Sequence, residues 1–324
     1  MRDHGGNIDH ATELYGGERS EWIDLSTGIN RLPWPVPTIS PHAWTDLPAR
    51  TAMNGLHAAA RTAWQVPEST GILAVAGAQA AIQLIPRLRA PGAARVLAPT
   101  YNEHAAALQA GGWRVEDVAS LETLAGADLA IVVNPNNPDG RCHSAAVLAQ
   151  LADAVGLLVV DESFADARLE HSLAQMVDCP NLIVLRSFGK FYGLAGVRLG
   201  FVLASPPDIK LLAGMLGPWP VSGMAIEIGT QALADRDWAT RTISRLQEDA
   251  ARLDRLASQA GWQIVGGTEL FRLYTMPDAA AAKASLARRH IWTRSFAYNQ
   301  TWLRMGLPGC EGEWARVESA FKVL

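Results

Sequence analysis

The sequence predicts an α/β protein, with a large domain on a mostly parallel seven-stranded sheet and a small α+β domain after it. Three observations predict this. Between about Gly71 and Ala204, seven short apolar runs alternate with alanine-rich, helix-like segments, the pattern of a buried sheet wrapped by crossover helices. Polar residues collect at or just beyond the C-terminal ends of those runs, where open α/β sheets bind their ligands. After Pro220 the hydrophobic period lengthens to that of an amphipathic helix, and a separate set of short strands and helices follows.

Residues 1–40 contain many Gly, Pro and Asn and little periodicity, as in "HGGN" and "LSTGINRLPWPVP". They read as an N-terminal arm that contributes to the substrate site and the small domain; composition alone favours a flexible segment over a loop fixed across a site. The large domain is expected over 41–230. Its strands are "ILAVAG" from Ile72, "RVLAP" from Arg95, "WRVEDV" from Trp113, "LAIVVN" from Leu129, "LLVVDE" from Leu157, "LIVLRS" from Leu182 and "LGFVLA" from Leu199. The small domain is expected over 231–324. It opens with "DWATRTISRLQEDAARLDRLASQAG", where Ile243, Leu246, Ala250, Leu253 and Leu256 recur every three or four residues and Gly261 is the stop. The segments "WQIVGG", "ELFRLYTM", "DAAAAKASLARRH", "IWTRSF", "TWLRMGL" and a closing helix from about Glu311 complete it.

Bulk properties exclude several classes. The chain has 324 residues, 49% hydrophobic and 19% charged, with a net charge of −4, which is ordinary for a folded enzyme. Its arginines are scattered, so the basic stripe of a nucleic-acid binder is missing. No apolar run approaches the roughly 20 residues that span a bilayer, and "MRDHGGNIDH" lacks a signal-peptide pattern. A cytoplasmic location is expected, with no nucleic-acid or membrane partner. Cys142, Cys179 and Cys310 are far apart and odd in number, and no helical histidine pair occurs, so reduced thiols and no metal site are expected.

The chemistry centres on "LRSFGKFYGLAGVRLG", Leu185 to Gly200. The chain has 24 arginines and only four lysines, of which Lys190 alone sits on a glycine-rich turn after an apolar strand. A primary amine forms a Schiff base and a guanidinium does not; the bland alternative is a solvated lysine. "VVDESF" ends a buried strand with Asp161, a carboxylate that needs a positive partner there, and a protonated pyridine nitrogen is one. "GAQAAIQLI" sets Gly77, Ala78 and Gln79 between strand and helix, where backbone N–H groups favour a phosphate. "NPNNPDG", with Asn137, is by itself only a turn before a helix. Tyr101, Ser187 and Arg198 complete the order: phosphate cradle, aromatic, asparagine, aspartate, then serine, lysine and arginine.

In this combination the chain resembles the fold-type I pyridoxal 5′-phosphate (PLP) enzymes related to aspartate aminotransferase, whose S-x-x-K-x(7)-R segment is matched by Ser187, Lys190 and Arg198. The resemblance implies PLP as cofactor, a homodimer, and Lys190 as the Schiff-base lysine. It also implies that Asp161 pairs with the pyridine nitrogen, Asn137 bonds the phenolic oxygen and Tyr101 stacks on the ring. Gly77, Ala78, Gln79, Ser187 and Arg198 would hold the cofactor phosphate. Two departures stand out: Phe164 replaces a tyrosine that also bonds the phenolic oxygen in many relatives, and "DLPARTAM" offers no counterpart to the tyrosine that in many relatives reaches the phosphate from the second subunit.

"HGGNIDHATELYG", "DLSTGIN" and "IWTRSFAYNQTWLRMGLPG" are similar to the branch of that superfamily formed by the threonine-phosphate decarboxylases, which serve the aminopropanol linker of vitamin B12. Arg31 stands where a proline usually follows "GIN". This likeness implies that Arg304 binds a substrate carboxylate and that Arg294, His4 and Asn30 bind a substrate phosphate. The expected reaction is decarboxylation of O-phospho-L-threonine to (R)-1-amino-2-propanol O-phosphate. The rivals are an aminotransferase acting on histidinol phosphate or a related phosphorylated amine, and a PLP-fold assembly partner without catalysis.

Overall fold

The computed structural model describes residues 4–177 and 179–322. Its strands in chain order are β1 (Ile23–Asp24), β2 (Gly71–Val75), β3 (Ala93–Leu97), β4 (Arg114–Val118), β5 (Leu129–Val133), β6 (Leu158–Asp161), β7 (Leu182–Ser187), β8 (Gly200–Ala204), β9 (Gln263–Thr268), β10 (Phe271–Thr275), β11 (Ile291–Trp292), β12 (Arg294–Phe296) and β13 (Asn299–Gly306). By contacts the chain forms two compact units. One comprises Trp34–Asn137 and Cys142–Ala239; the other comprises the segment up to Pro33, Pro138–Arg141 and the segment from Thr240.

In the first unit the seven apolar runs form one sheet, in the order β2-β8-β7-β6-β5-β3-β4. Neighbours are parallel except β8, which runs antiparallel to both β2 and β7. The central strands β5 and β6 are buried along their whole length, because helices cover both faces of such a sheet and leave no side for polar residues. At the edge, β4 keeps only Val118 buried and carries Arg114, Glu116 and Asp117, charges that discourage a further strand from adding. Beneath lies a core that includes Leu73, Val96, Leu108, Ile131, Val159, Ile183 and Leu212, each such aliphatic side chain contributing roughly 1.5–3 kcal/mol when fully buried.

The antiparallel return from β7 to β8 positions the chemistry. Ser187 lies in register with Gly200, so the whole connection Phe188–Leu199, with Lys190 and Arg198, is confined to the carboxyl end of β7. The ends of β2, β5 and β6 reach the same edge. There the glycine turn after β2, the asparagine loop after β5 and Asp161 meet that connection.

In the second unit β12, β13, β10 and β9 make a four-stranded antiparallel sheet, and β1 pairs with β11 in parallel. The N-terminal segment differs from the flexible arm that its composition favours. Ile8–Tyr15 is a helix whose N-cap Asn7 accepts a bond from the His10 N–H, and Ile8, Ala11 and Trp22 are buried with Ala287 and Trp292. Burial of these apolar side chains, invisible in glycine and proline counts, orders the segment. The long amphipathic helix spans Arg236–Gln259, with Leu246, Ala250 and Leu253 on its buried side. No helix among the described residues is long and apolar enough to cross a membrane.

Candidate active site

The first unit brings all the proposed cofactor residues to one end of its sheet. Gly77, with φ of 78°, caps the helix Ala78–Leu84. A Cβ added to Gly77 would stand 2.7 Å from Arg198 Nη2, and one added to Gly200 would stand 2.4 Å from the Ala78 nitrogen. Glycine is required at both places: at Gly77 by the left-handed backbone and the guanidinium, at Gly200 by close approach of two backbones. Arg198 itself takes the left-handed conformation at φ of 55° and donates to the Ala195 carbonyl at 3.1 Å. The result is a concave group of backbone N–H donors with a cation beside them, suited to an anion.

Asp161 ends β6 only 3% exposed. Its Oδ1 accepts from the Ser163 N–H at 2.9 Å and the Ser163 hydroxyl at 2.5 Å, and its Oδ2 lies 2.8 Å from His104 Nε2. Burial pushes this carboxyl up, but the hydrogen bond and charge of His104 and the bonds from Ser163 outweigh burial and hold it below the ordinary carboxylate value. His104 is buried on the helix Glu103–Ala110, three residues after Tyr101, and meets that ring edge-on at 6.1 Å. The Tyr101 hydroxyl donates to Gln79 Oε1 at 3.2 Å, and Gln79 Nε2 donates to Glu103 at 3.2 Å. The side chain of Gln79 therefore holds Tyr101 in place, and only its backbone is left to the anion cradle.

Lys190 lies on the short helix Phe188–Phe191, its Nζ 5.7 Å from the centroid of Phe164. The residue that departs from the tyrosine of many relatives is thus packed under the lysine. Phe188 stacks on Tyr192 at 4.5 Å, and Tyr192 stacks on Trp238 at 5.6 Å, fixing the helix from behind. Asn137 is buried at the end of a loop that Asn136 ties to the Pro99 carbonyl and to Thr100.

The second unit holds the proposed substrate residues. Arg304 is 2% exposed, donates to the Ser26 carbonyl at 2.6 Å and lies over the Phe271 ring at 5.1 Å. Arg294, half-buried over Phe296, is its partner in register across β12 and β13. Tyr298, in the hairpin between those strands, is 59% exposed; its phenol feels both arginines, whose charges pull it down against the rise caused by its partly covered surroundings. Asn30 is buried with its Oδ1 accepting from Arg245 at 2.7 Å and from the Leu32 N–H at 3.1 Å. His4 is exposed, and next to it Gly5 and Gly6 close on Ser26, whose hydroxyl accepts from the Gly6 N–H at 2.7 Å. Arg31 forms a two-pronged ion pair with Glu313 and also reaches the Asp24 carbonyl.

Sequence reasoning missed His104, Ser163 and Arg245. For His104 a signal was present: in "PTYNEH" it stands three residues after Tyr101, at the start of an alanine-rich, helix-like stretch. Among the described residues no group of three or more His, Cys, Asp or Glu side chains is placed to hold a metal.

A sheet of this order, with a lysine-bearing return and an aspartate at the end of a neighbouring strand, defines a class. The chain matches the family model Aminotransferase class I and II over residues 49–317 and belongs to that family. Within it, the chain is 42% identical over 327 residues to a threonine-phosphate decarboxylase of Pseudomonas aeruginosa, covering 99% of this chain and 97% of that protein. It is 44% identical over 322 residues to a threonine-phosphate decarboxylase of a Sinorhizobium species, covering 96% and 95%. A histidinol-phosphate aminotransferase from Sinorhizobium meliloti, solved in complex with pyridoxal-5′-phosphate, shares the fold at a TM-score of 0.82 and 19% identity, over 98% of this chain and 94% of that one.

Proposed function

We propose that this chain is a PLP-dependent decarboxylase that converts O-phospho-L-threonine to (R)-1-amino-2-propanol O-phosphate for cobalamin biosynthesis. The observation that carries the substrate assignment is the pair Arg294 and Arg304, opposed in register. Like charges directly opposite across two strands repel. A substrate with a carboxylate at one end and a phosphate at the other matches two cations set side by side in this way. Arg304, the more deeply buried, takes the carboxylate, and Arg294 takes the phosphate with His4 and Asn30. Arg245 and the Leu32 N–H hold the Asn30 side chain through its oxygen.

The residues of the first unit fit PLP. The glycine turn against Arg198 suits a phosphate, and Asp161, held ionised in a buried place, suits a protonated ring nitrogen. Gly77, Ala78, Gln79, Ser187 and Arg198 would hold the cofactor phosphate, Asn137 the phenolic oxygen, Tyr101 the ring face and Lys190 the aldehyde carbon. When bound, PLP would supply an electron-accepting ring. Asp161 keeps a proton on the ring nitrogen. Arg304 and Arg294 set the substrate's orientation, so they decide whether Cα loses its carboxylate or its proton. Lys190, in its protonated ammonium form, would be placed to give Cα the proton that takes the place of the lost carboxylate.

The protein is incubated with PLP and O-phospho-L-threonine, with and without 2-oxoglutarate, while CO2 and aminopropanol phosphate are quantified. CO2 release independent of the keto acid is expected. Glutamate formation that requires the keto acid, without CO2, would instead make the protein an aminotransferase. Absence of both a visible cofactor band and turnover would favour the assembly-partner reading. A cytoplasmic homodimer belongs to the same proposal: Trp44 and Leu47 are 64% and 67% exposed on the first unit, large apolar side chains that a second copy would cover. A monomer mass in light scattering would remove that part.

A further inference from the structure

Behind the sheet end that carries Asp161 and Lys190 lies a charged cluster with no part in the reaction above. Arg186 is 0% exposed on β7. Its Nη1 donates to Glu162 Oε2 at 2.9 Å and its Nη2 to Asp166 Oδ1 at 2.7 Å. The guanidinium lies over the Trp64 ring at 4.8 Å, and Trp64 Nε1 donates to the same Asp166 oxygen at 3.0 Å. Glu162 also accepts from the Ser172 hydroxyl at 2.5 Å and the Leu173 N–H at 2.6 Å.

Two of its members are chain neighbours of site residues. Glu162 follows Asp161, and Arg186 precedes Ser187 and stands four residues before Lys190. Successive side chains on a strand point to opposite faces, so while Asp161 turns to His104, Glu162 turns to Arg186. The ion pair thus ties the end of β6 to the end of β7 from the face away from Asp161. Tyr192, two residues past Lys190, is buried, and its phenol feels the charges of both Asp166 and Arg186, so the field of the cluster reaches the lysine segment.

Stability does not explain the cluster. A buried ion triad loses the hydration of three charges, and replacing one whole by apolar or neutral groups is often neutral or stabilising. A bidentate guanidinium, by contrast, fixes the distance and angle between the groups it joins. We propose that Arg186 is a positioning residue that, through Glu162 and Asp166, sets the separation of Asp161 from Lys190 and so the fit of the cofactor between them. The inference rests on the PLP reading given above.

Two variants test it. The combined change Arg186→Met, Glu162→Gln and Asp166→Asn removes all three charges together, so no lone buried charge remains. Trp64→Phe keeps a ring over Arg186 and deletes only the donor to Asp166. Thermal unfolding, the PLP dissociation constant, the pH dependence of the visible cofactor band and the yield of borohydride trapping at Lys190 are measured for each. The combined variant is expected to unfold at the wild-type temperature, yet to bind PLP about ten- to a hundredfold more weakly, the scale of a small misplacement of a binding group. Its cofactor band should shift its pH midpoint, and Trp64→Phe should shift it in the same direction by less. A folded combined variant with wild-type PLP affinity and pH midpoint overturns the proposal. So does a combined variant that fails to fold together with a Trp64→Phe protein whose affinity and midpoint are unchanged, since the cluster is then structural only. Failure of the underlying reading looks different: wild-type protein itself would bind no PLP, or borohydride would trap a residue other than Lys190.

Discussion

Replacing His104 with phenylalanine removes one donor from Asp161 while keeping a ring against Tyr101. The His104 Nε2 to Asp161 Oδ2 distance is 2.8 Å and both side chains are buried, so water does not substitute for the lost bond. A hydrogen bond to a charged group contributes about 1.5–3 kcal/mol, which at roughly 1.4 kcal/mol per factor of ten corresponds to a loss of about ten- to a hundredfold in kcat/KM. The pH profile separates this cause from general damage. In the wild type the folded Asp161 carboxyl sits below its ordinary value, so its interactions are intact above that range and are lost only as pH falls through the depressed value. Without His104, burial, the largest influence, is opposed by Ser163 and the bound cofactor's ring nitrogen but no longer by the imidazole, and the loss begins at higher pH. The assay is kcat/KM for CO2 release from O-phospho-L-threonine across acid pH, with thermal unfolding as control. A folded His104→Phe protein with wild-type kcat/KM and an unmoved acid limb would refute the role given to the pair.

Three further outcomes are expected. Lys190→Ala should lose cofactor trapping and turnover while unfolding like the wild type; full activity in this variant would remove the site from this end of the sheet. Arg294→Ala should weaken O-phospho-L-threonine by about 1.5–3 kcal/mol for each charge-assisted bond lost, with a much smaller effect on unphosphorylated threonine, checked by comparing kcat/KM for the two substrates. Equal losses would take Arg294 out of the phosphate site. Arg31→Ala should destabilise the protein at neutral pH by about 1–2 kcal/mol, less than the loss for a fully buried pair because the side chains are 25% and 20% exposed. Burial raises the Glu313 carboxyl, but Arg31 and the Gly309 N–H bring it below its ordinary value, so this contribution exists above the ordinary glutamate range and disappears as pH falls through the depressed value. Denaturant melts of both proteins at neutral and acid pH check it: a difference that persists undiminished at acid pH would show that Arg31 acts by packing and not by charge.

What could be read from the sequence follows from how far each cause reaches along the chain. The seven strands were legible because a strand covered on both faces must be apolar throughout, and "LAIVV" or "LLVV" states that locally. The placement of Gly77, Asp161 and Lys190 at one end of the sheet was legible because glycine, carboxylate and a rare amine at strand ends conflict with what burial alone selects. Arg186 presents the same conflict within "LIVLRS", yet it reads as the polar end of a strand, since the partners that make its burial tolerable, Asp166 and Trp64, come from other elements. Arg31 was opaque for the same reason: its partner Glu313 is 282 positions away. The N-terminal segment misled through composition, because glycine and proline counts report the freedom of a chain by itself, whereas Ile8, Ala11 and Trp22 are ordered by Ala287 and Trp292. Local rules therefore locate reactive groups, and long-range ion pairs and packing decide how firmly those groups are held. In this chain the second kind of information is concentrated in Arg186 and His104, each one covalent or hydrogen-bonded step behind a residue that the sequence did reveal.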